Sequence, residues 1–234
     1  MTVLSREKDS FDFWYRTVQP LVPTPRTHII KTDLDFAPLM DGATPDGFEA
    51  FCQRIAFAAR KVRYPAFLRT GHTSGKHNWC STCYLDAEAE IPSHVSALVE
   101  ESYLADFFGL PTDVWVVREF VPGPVAFTAF NGLPIRKERR VFVNAGKVRC
   151  HHPYWPADAI KRASCPDWVE KLAALNAIAD EDLAEILTLS ATVAQALPGA
   201  WSLDWMLCHE APRWRLIDAA LAEHSYHFEG CQEP

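Results

Sequence analysis

The stretch "SLDWMLCHEAPRWRLIDAAL" (residues 202–221) contains two apolar runs, each with one aspartate inside it. The runs 202–209 and 213–221 are rich in apolar and aromatic residues, and the short turn "EAPR" between them predicts a β-hairpin. The two aspartates are Asp204 and Asp218. A carboxylate among Leu, Trp and Ile is costly to bury unless it is paired or coordinates a metal ion. Each aspartate alone could cap a turn, but two on neighbouring strands favour a functional site.

A second stretch, "FLRTGHTSGKHNWCSTC" (residues 67–83), allows two kinds of site. One is a metal clamp formed by His72, His77, Cys80 and Cys83. Zinc sites usually join two separated ligand hairpins, whereas these four residues are close together and no second Cys-x-x-Cys follows. The hypothesis of a redox Cys-x-x-Cys motif is even less favoured, because that motif normally opens a helix in a thioredoxin-like unit. The metal clamp is therefore the less favoured hypothesis.

The alternative for the same stretch is a phosphate-binding loop. Arg69 ends a short apolar strand and offers a rigid fork of donors, while Lys76 lies on a small-residue loop and offers a mobile point charge. The backbone around Ser74 and Gly75 can approach a phosphate closely. Divalent magnesium, held by oxygen ligands such as the two aspartates, is the usual partner of a nucleotide phosphate. The two stretches together predict a nucleotide site.

The remaining pattern predicts an α+β fold. Helical spacing covers 47–62, 93–108 (with Ser93 as N-cap), 166–178 and 180–197. Strands are predicted at 28–32, 65–70 and 113–120, the last as a central strand, and a hairpin at 138–155 turning at Asn144-Ala145-Gly146. Residues 1–27, with Pro20, Pro23 and Pro25, are expected to run extended over the surface. Alternating helix and strand followed by an antiparallel sheet predicts two lobes with a cleft between them.

Composition limits the classes of function. The chain has 234 residues and a formal net charge of −7, so its overall field opposes nucleic acid. The dense basic run Arg136, Lys137, Arg139 and Arg140 is expected to be a solvated face. No apolar run approaches the ~20 residues that span a bilayer, and the N-terminus lacks a secretory signal, which predicts a cytoplasmic location and no membrane partner. The scattered cysteines at 52, 150, 165, 208 and 231 are expected to be small buried apolar residues.

Four short motifs occur in an order that resembles the ATP-grasp superfamily: "FLRTGHTSGKHNW", "VVREFVPG", "ERRVFVNAGKV" and "SLDWML…RWRLIDAA". The similarity covers residues 25–230 and is nearest to small phage-encoded ATP-grasp proteins and the assembly chaperone of eukaryotic translation initiation factor 2. It implies an ATP-grasp fold, with two lobes of antiparallel sheet and a nucleotide cleft between them. The lobes are predicted at residues 1–112, with the phosphate-contacting loop, and 113–234, with the hinge and the aspartates.

The resemblance also implies roles for single residues. Arg69 and Lys76 would meet the phosphates of ATP. The backbone of the hinge would bind the adenine edge through Val117, Arg118, Glu119 and Phe120. Arg140 would face the γ-phosphate or the substrate and act with Lys76 on the transferring phosphoryl group, although Arg139 stands where the family pattern has Phe. Asp204 and Asp218 would hold Mg²⁺.

One departure from the family pattern affects turnover. The resemblance leads us to expect Asn two residues after the second acidic ligand, and this chain has Ala220 there. Ser225 and Glu223 are near enough in sequence to compensate.

The first functional hypothesis is an ATP-dependent carboxylate–amine ligase. It activates a small-molecule or peptide carboxylate as an acyl phosphate, which an amine or other nucleophile then attacks. The second is an ATP-binding assembly chaperone or interaction module with little turnover, for which a protein partner is expected. The two hypotheses differ in whether the cleft beyond the γ-phosphate is a small-molecule pocket or opens onto a flat partner surface. Candidates for its lining are His151, His152, Tyr154 and Trp155 with the C-terminal "EHSYHFEGC", where His224 and His227 are weaker candidates as metal ligands. A nucleic-acid end-processing ligase, suggested by residues 136–140, is opposed by the acidic net charge.

Overall fold

Helices and strands alternate in the first half of the chain, and strands dominate the second. The computed structural model describes residues 8–106, 109–228 and 231. Its helices are α1 Phe11–Val18, α2 Phe48–Val62, α3 Ile91–Ala105, α4 Trp168–Asn176 and α5 Asp180–Ala196. Its strands are β1 Thr27–Lys31, β2 Ala66–Thr70, β3 Tyr84–Leu85, β4 Val114–Glu119, β5 Val125–Ala129, β6 Leu133–Arg136, β7 Glu138–Asn144, β8 Lys147–Pro153, β9 Ala200–Leu207 and β10 Trp214–Leu221. The predicted α+β fold class is confirmed.

The first sheet has the strand order β1-β4-β2-β3, with every neighbouring pair antiparallel. Helices α2 and α3 pack on one face, where Ile55, Leu98 and Trp115 are fully buried in one core cluster. Strand β4 is central, as its continuous apolar pattern predicts. The predicted lobe boundary between residues 112 and 113 would assign β4 to the second lobe. In the structure β4 pairs with β1 and β2, so the first sheet includes β4 and extends to Glu119.

The second sheet has the strand order β10-β9-β7-β8, again all antiparallel. The predicted turn after β7 is confirmed: Ala145 and Gly146 have φ of 50° and 75°, and two positive φ values match the twist of a two-residue hairpin. One face of this sheet is apolar and packs against α1 and α5 through a cluster that includes Trp201 and Trp205. The opposite face carries the polar side chains described below.

The N-terminal segment contains helix α1, so the expectation of an extended segment over residues 1–27 is wrong for Phe11–Val18. In α1, Phe11, Trp14, Tyr15 and Val18 are buried in the core cluster of the second sheet. Their spacing is the i, i+3, i+4, i+7 pattern of one helical face. The prolines that suggested extended chain all lie beyond the end of the helix. Residues 1–7 lie outside the described range.

A small hairpin of β5 and β6 was absent from the sequence prediction. Its strands are short, and Pro122, Gly123 and Pro124 precede them, which are signals typical of loops. Helix α4 packs on this hairpin, and Leu133 and Ile135 join a third core cluster there. The hairpin matters because Leu133 and Pro134 form part of the cleft wall.

Helix α3 begins earlier than predicted. It starts at Ile91, with Pro92 in its first turn, and the Ser93 hydroxyl donates to the Glu90 carbonyl at 2.8 Å, so Ser93 is not the N-cap. Residues 107 and 108, the predicted end of this helix, lie outside the described residues. Among the described helices, none combines the length and apolar character needed to cross a membrane. The cytoplasmic location stays a prediction.

Candidate functional site

A cleft between the two sheets contains about 710 Å³ of empty space, part of it open to solvent. Its walls come from β2 and the loop after it, from the end of β4, from β6, and from β7, β9 and β10. The residues that line it are Pro25, Phe67, Arg69, Ser74, Lys76, Trp79, Arg118, Glu119, Phe120, Val121, Leu133, Pro134, Arg136, Glu138, Trp155, Asp204, Met206, Ile217 and Asp218. Most of the residues predicted for the nucleotide site therefore lie around one space.

The loop after β2 has a fixed shape. The Thr70 hydroxyl accepts from the Thr73 amide at 3.0 Å, and the Thr70 amide donates to the Thr73 carbonyl at 3.0 Å. Gly75 follows with a φ of 56°, and a Cβ there would lie 3.1 Å from the Thr82 side chain, so the position favours glycine. A 3-10 helical turn then begins at Lys76. The chain thereby directs Lys76 toward the cleft.

Two arginines of the first sheet lie side by side on its cleft-facing surface. Arg69 on β2 and Arg118 on β4 are both buried, and Arg118 also donates to the Ile217 carbonyl of the second sheet. Burial and the neighbouring Arg69 charge lower the pKa of Arg118 to about 10. Two adjacent cations that repel each other create a local preference for an anion.

A row of charged side chains crosses the second sheet. Arg140 on β7 is directly opposite Asp204 on β9, and Asp204 is directly opposite Asp218 on β10. Arg140 donates to both oxygens of Asp204 at 2.7 and 2.8 Å. Arg69 reaches from the first sheet and donates to Asp218 at 2.8 Å. Each carboxylate is thus neutralised by a different arginine.

This pairing explains how two like charges occupy neighbouring positions. Directly opposed carboxylates destabilise a strand pair unless a cation compensates them. The side chains of Arg140 and Asp204 are only 12% and 8% exposed, whereas Asp218 is 36% exposed. Burial lowers the pKa of Arg140, but the Asp204 charge and hydrogen bonds outweigh that and raise it well above its usual range. The Arg140–Asp204 pair is therefore the stronger of the two.

Lys76 is held more tightly than the predicted mobile charge. Its Nζ donates to the Tyr154 hydroxyl and lies 4.1 Å from the centre of the Tyr154 ring and 5.0 Å from that of Trp155. Burial lowers the pKa of Lys76, but the nearby Tyr154, Glu138 and Asp204 raise it, and the net shift is upward. The lysine stays protonated and joins the loop after β2 to the segment after β8.

Glu138 is a cleft residue that the sequence prediction missed. It lies on β7 two residues before Arg140, on the same face, so the strand alternation was the signal that could have revealed it. Burial raises the pKa of the Glu138 carboxyl to about 7, against the opposing effect of Lys76. Nearby, Arg136 donates to the Val121 carbonyl at 2.6 Å, and its guanidinium carbon lies 4.4 Å from the centre of the Phe120 ring.

The predicted hinge is only partly at the cleft. Arg118, Glu119 and Phe120 line it, but Val117 is fully buried in the core behind the first sheet. Alternation along β4 directs Val117 to the face opposite Arg118. The Glu119 carboxylate is bound by the side chains of Arg26 at 2.6 Å and Arg215 at 2.9 Å, so it connects the two sheets.

The basic run at 136–140 does not form one solvated face, so that expectation is wrong. Arg136 is buried against Val121, and the Arg140 side chain pairs with Asp204. Lys137 donates to the Ala177 carbonyl at 2.8 Å, and Arg139 contacts His151 on the other face of β7. Alternation along the strand distributes these charges to different surroundings.

Of the two residues considered as compensation for Ala220, Ser225 lies near Ala220 and Glu223 contacts His224. Ala220 is directly opposite Ser202, and the Ser202 hydroxyl lies 2.5 Å from that of Ser225. Glu223 is exposed, and its Oε1 lies 3.7 Å from His224 Nε2. His224 in turn contacts Asp9 at 2.7 Å.

The four residues of the alternative metal clamp are dispersed in the structure. Cys83 is fully buried, Cys80 is exposed, and the His77 ring stacks on Phe130 with a centroid distance of 4.3 Å. The expectation that the scattered cysteines are buried is wrong for Cys150, Cys165 and Cys231, which are only partly buried. Cys150 and Cys231 form a cluster with His227.

Comparison with known proteins gives matches in structure only. No protein-family model matches the chain, and no curated protein matches it. C-terminally truncated Cdc123 from Schizosaccharomyces pombe is 13% identical, with a TM-score of 0.58 over 94% of this chain and 86% of that chain. N5-carboxyaminoimidazole synthase from Aspergillus clavatus, crystallised with ADP and 5-aminoimidazole ribonucleotide, is 11% identical, with a TM-score of 0.54. Both are ATP-grasp proteins.

The chain has the ATP-grasp fold. The match to the synthase covers 92% of this chain but 44% of that chain, so this chain spans less than half of the synthase. At these identities the likeness establishes the architecture alone. The resemblance to an ATP-grasp protein is confirmed, and its phage-encoded branch stays a prediction.

Proposed function

We propose that the cleft binds ATP with Mg²⁺ and that the chain is a carboxylate–amine ligase. The observation that carries this proposal is the convergence of cations and carboxylates from the two sheets. Arg69, Lys76 and Arg118 come from the first part of the chain, and Asp204 and Asp218 come from the hairpin near its end. A site with both cations and paired carboxylates suits a polyphosphate that carries a divalent ion.

The cleft also has an apolar section that suits a purine base. Phe67, Trp79, Phe120, Leu133 and Met206 line it, and the charged residues lie in the same cleft. Aromatic and aliphatic walls with a few polar groups are typical of nucleotide pockets. We therefore propose that the adenine lies among these side chains and the phosphates lie toward Arg69 and Lys76.

The carboxylate pair fits magnesium by its chemistry. Asp204 and Asp218 are directly opposed and supply only oxygen ligands, which a hard cation prefers. Both are bound to arginines in this structure, so an arriving cation would take the place of a guanidinium, and Arg69 and Arg140 would be released toward the phosphates. A bound magnesium ion would neutralise charge on the β- and γ-phosphates.

In the proposed reaction a substrate carboxylate oxygen attacks the γ-phosphorus of ATP, and ADP leaves with the bridging oxygen. An amine then attacks the acyl carbon, inorganic phosphate leaves, and the amine loses a proton. The chain's part is to hold the reactants and balance negative charge. We assign this role to Arg140 and Lys76, and their position beside Asp204 and Tyr154 supports the assignment.

The test is ADP release in the presence of Mg-ATP and pools of amino acids, short peptides and polyamines. A ligase gives ADP and phosphate only when a carboxylate and an amine are both present. Arg140→Gln should abolish this release. Nucleotide binding without ADP release in any pool would exclude the ligase.

A second candidate is an ATP-binding assembly chaperone or interaction module. Ala220 beside Asp218 favours it, because an alanine supplies no oxygen to a metal ion. The pairing of both aspartates with arginines favours it too, since turnover needs these pairs to open. Binding of Mg-ATP with no ADP release, together with a nucleotide-dependent protein complex, would support this candidate.

A further inference from the structure

The C-terminal segment after β10 crosses the face of the second sheet that carries the charged row. Ser225 contacts Ser202 on β9, and the Tyr226 carbonyl accepts from Arg140 on β7 at 3.3 Å. The His227 ring packs edge-on against the Phe142 ring of β7, with a centroid distance of 4.4 Å. The segment thus runs from β9 toward β8, the edge strand of the sheet.

At that edge three side chains meet. Cys150 on β8 lies with its Sγ 3.0 Å from His227 Nε2. Cys231 completes the group, and the two sulfurs and one nitrogen all lie within 4.8 Å of one another. In the part of the chain that the structure describes, this is the only group of three or more Cys, His, Asp or Glu side chains with that spacing.

We propose that Cys150, His227 and Cys231 bind a zinc ion that fastens the C-terminal segment to the edge of the second sheet. Zinc takes thiolate at ≈ 2.3 Å and imidazole at ≈ 2.0–2.1 Å in a tetrahedron. Two sulfurs and a nitrogen already within 4.8 Å need only small side-chain movements to reach that geometry. A solvent molecule completes the coordination.

The ligand types select zinc over magnesium. Thiolates and imidazole are soft or borderline ligands, and the group includes no carboxylate. The site is therefore chemically distinct from Asp204 and Asp218, which offer oxygen alone. Zinc binding at this site does not depend on ATP binding in the cleft, so the two can be measured separately.

A zinc-bound cysteine is a thiolate, because a coordinating thiol is deprotonated outright. Zinc binding should therefore release protons and weaken as the pH falls.

The buried His152 is a neighbouring group that needs a polar partner. The centre of its ring lies 5.7 Å from that of the His227 ring, and the ring stacks on Phe228 with a centroid distance of 4.3 Å. Its Nδ1 faces the Pro153 carbonyl at 2.7 Å, and its Nε2 has no hydrogen-bond partner among the described residues. An unpaired buried nitrogen is costly, so a polar occupant of this region is favoured.

The test measures zinc and cobalt binding to the full-length chain under reducing conditions. We expect one Zn²⁺ per chain by elemental analysis after removal of free metal, and a thiolate-to-metal charge-transfer band on substitution with Co²⁺. Cys150→Ser and Cys231→Ser should each lose the stoichiometric ion and the band. Cys231 lies beyond the last strand, so its variant should fold even if the Cys150 variant does not.

Two control variants make the assignment specific. Cys165→Ser removes another partly buried thiol and should leave Zn²⁺ binding unchanged. Asp218→Asn should also leave it unchanged, because Asp218 lies in the other site. Absence of stoichiometric Zn²⁺ in the reduced protein would overturn the proposal. A Cys150–Cys231 disulfide that persists in place of metal, or equal binding by the cysteine variants, would overturn it as well.

Discussion

Asp204 and Asp218 are directly opposed across β9 and β10, yet each carboxylate is bound by a different arginine. Arg140 comes from the same sheet, whereas Arg69 comes from the other sheet. The contact between Arg69 and Asp218 therefore joins the two halves of the cleft. We infer that the arginines hold the carboxylate pair together until a divalent cation and a polyphosphate arrive.

The two aspartates should differ in their effect on stability. Asp204→Asn leaves the largely buried Arg140 without its counter-charge, which we expect to cost about 3 kcal/mol of unfolding free energy. Asp218→Asn should cost less, about 1 kcal/mol, because Asp218 is 36% exposed and accepts one hydrogen bond from Arg69, whereas Asp204 accepts two from Arg140. Urea denaturation of both variants measures the difference. Equal losses would contradict the different burial and hydrogen bonding of the two carboxylates.

Lys76 should contribute to phosphate binding and not to base binding. Lys76→Met should weaken binding of ATP by about tenfold or more, equal to about 1.4 kcal/mol, while adenosine binds as before. Lys171→Met on α4 is the control, because Lys171 pairs with Asp167 on the surface. Fluorescence titration with each ligand provides the measurement. A parallel loss of adenosine binding would show that Lys76 acts by shaping the whole cleft.

Glu138 should make stability fall as the pH rises through its titration range. Its pKa is raised from 4.5 to about 7 mainly by burial, so between these values the unfolded carboxyl is ionised while the folded one keeps its proton. The unfolded state then binds fewer protons, and the unfolding free energy declines with pH, by up to about 3 kcal/mol.

Glu138→Gln removes that dependence. The variant should therefore lose less stability than the unmodified chain between pH 4.5 and about 7, as measured by Tm at each pH. Glu170→Gln on the exposed side of α4 is the control and should follow the unmodified chain. Identical pH profiles for Glu138→Gln and the unmodified chain would contradict the raised pKa.

Helix α1 should be an integral part of the fold. Trp14 is 1% exposed and packs against Phe11 with ring centroids 4.6 Å apart, so Trp14→Ala should cost about 3–5 kcal/mol. Phe13, 41% exposed on the same helix, is the matched control, and Phe13→Ala should cost about 1 kcal/mol. Denaturation curves for the two variants should be well separated.

Local sequence patterns anticipated the strands that carry the site. Alternation places Arg140, Asp204 and Asp218 on the same face of adjacent strands, and the apolar runs around them identified those strands. The two-residue turn after β7 and the length of α2 also followed from local patterns. These features depend on residues that are neighbours in the chain, which is why they could be predicted.

Contacts between distant segments were not predictable in the same way. Lys76 and Tyr154 are 78 positions apart in the chain, and no local sequence pattern indicates that the lysine lies over that ring. The cluster of Cys150, His227 and Cys231 forms because the C-terminal segment crosses the sheet. No periodic pattern in the sequence indicates that crossing. Helix α1 had a periodic pattern, but the prolines that follow it outweighed that signal.

Titration calorimetry with Mg-ATP tests the central claim most directly. We expect saturable binding of one ATP per chain that weakens when Mg²⁺ is withheld and is lost in an Arg69→Ala, Lys76→Ala double variant. The double variant should still fold, as checked by circular dichroism. Absence of adenine nucleotide binding by the unmodified chain, or unchanged binding by the folded double variant, would contradict the account.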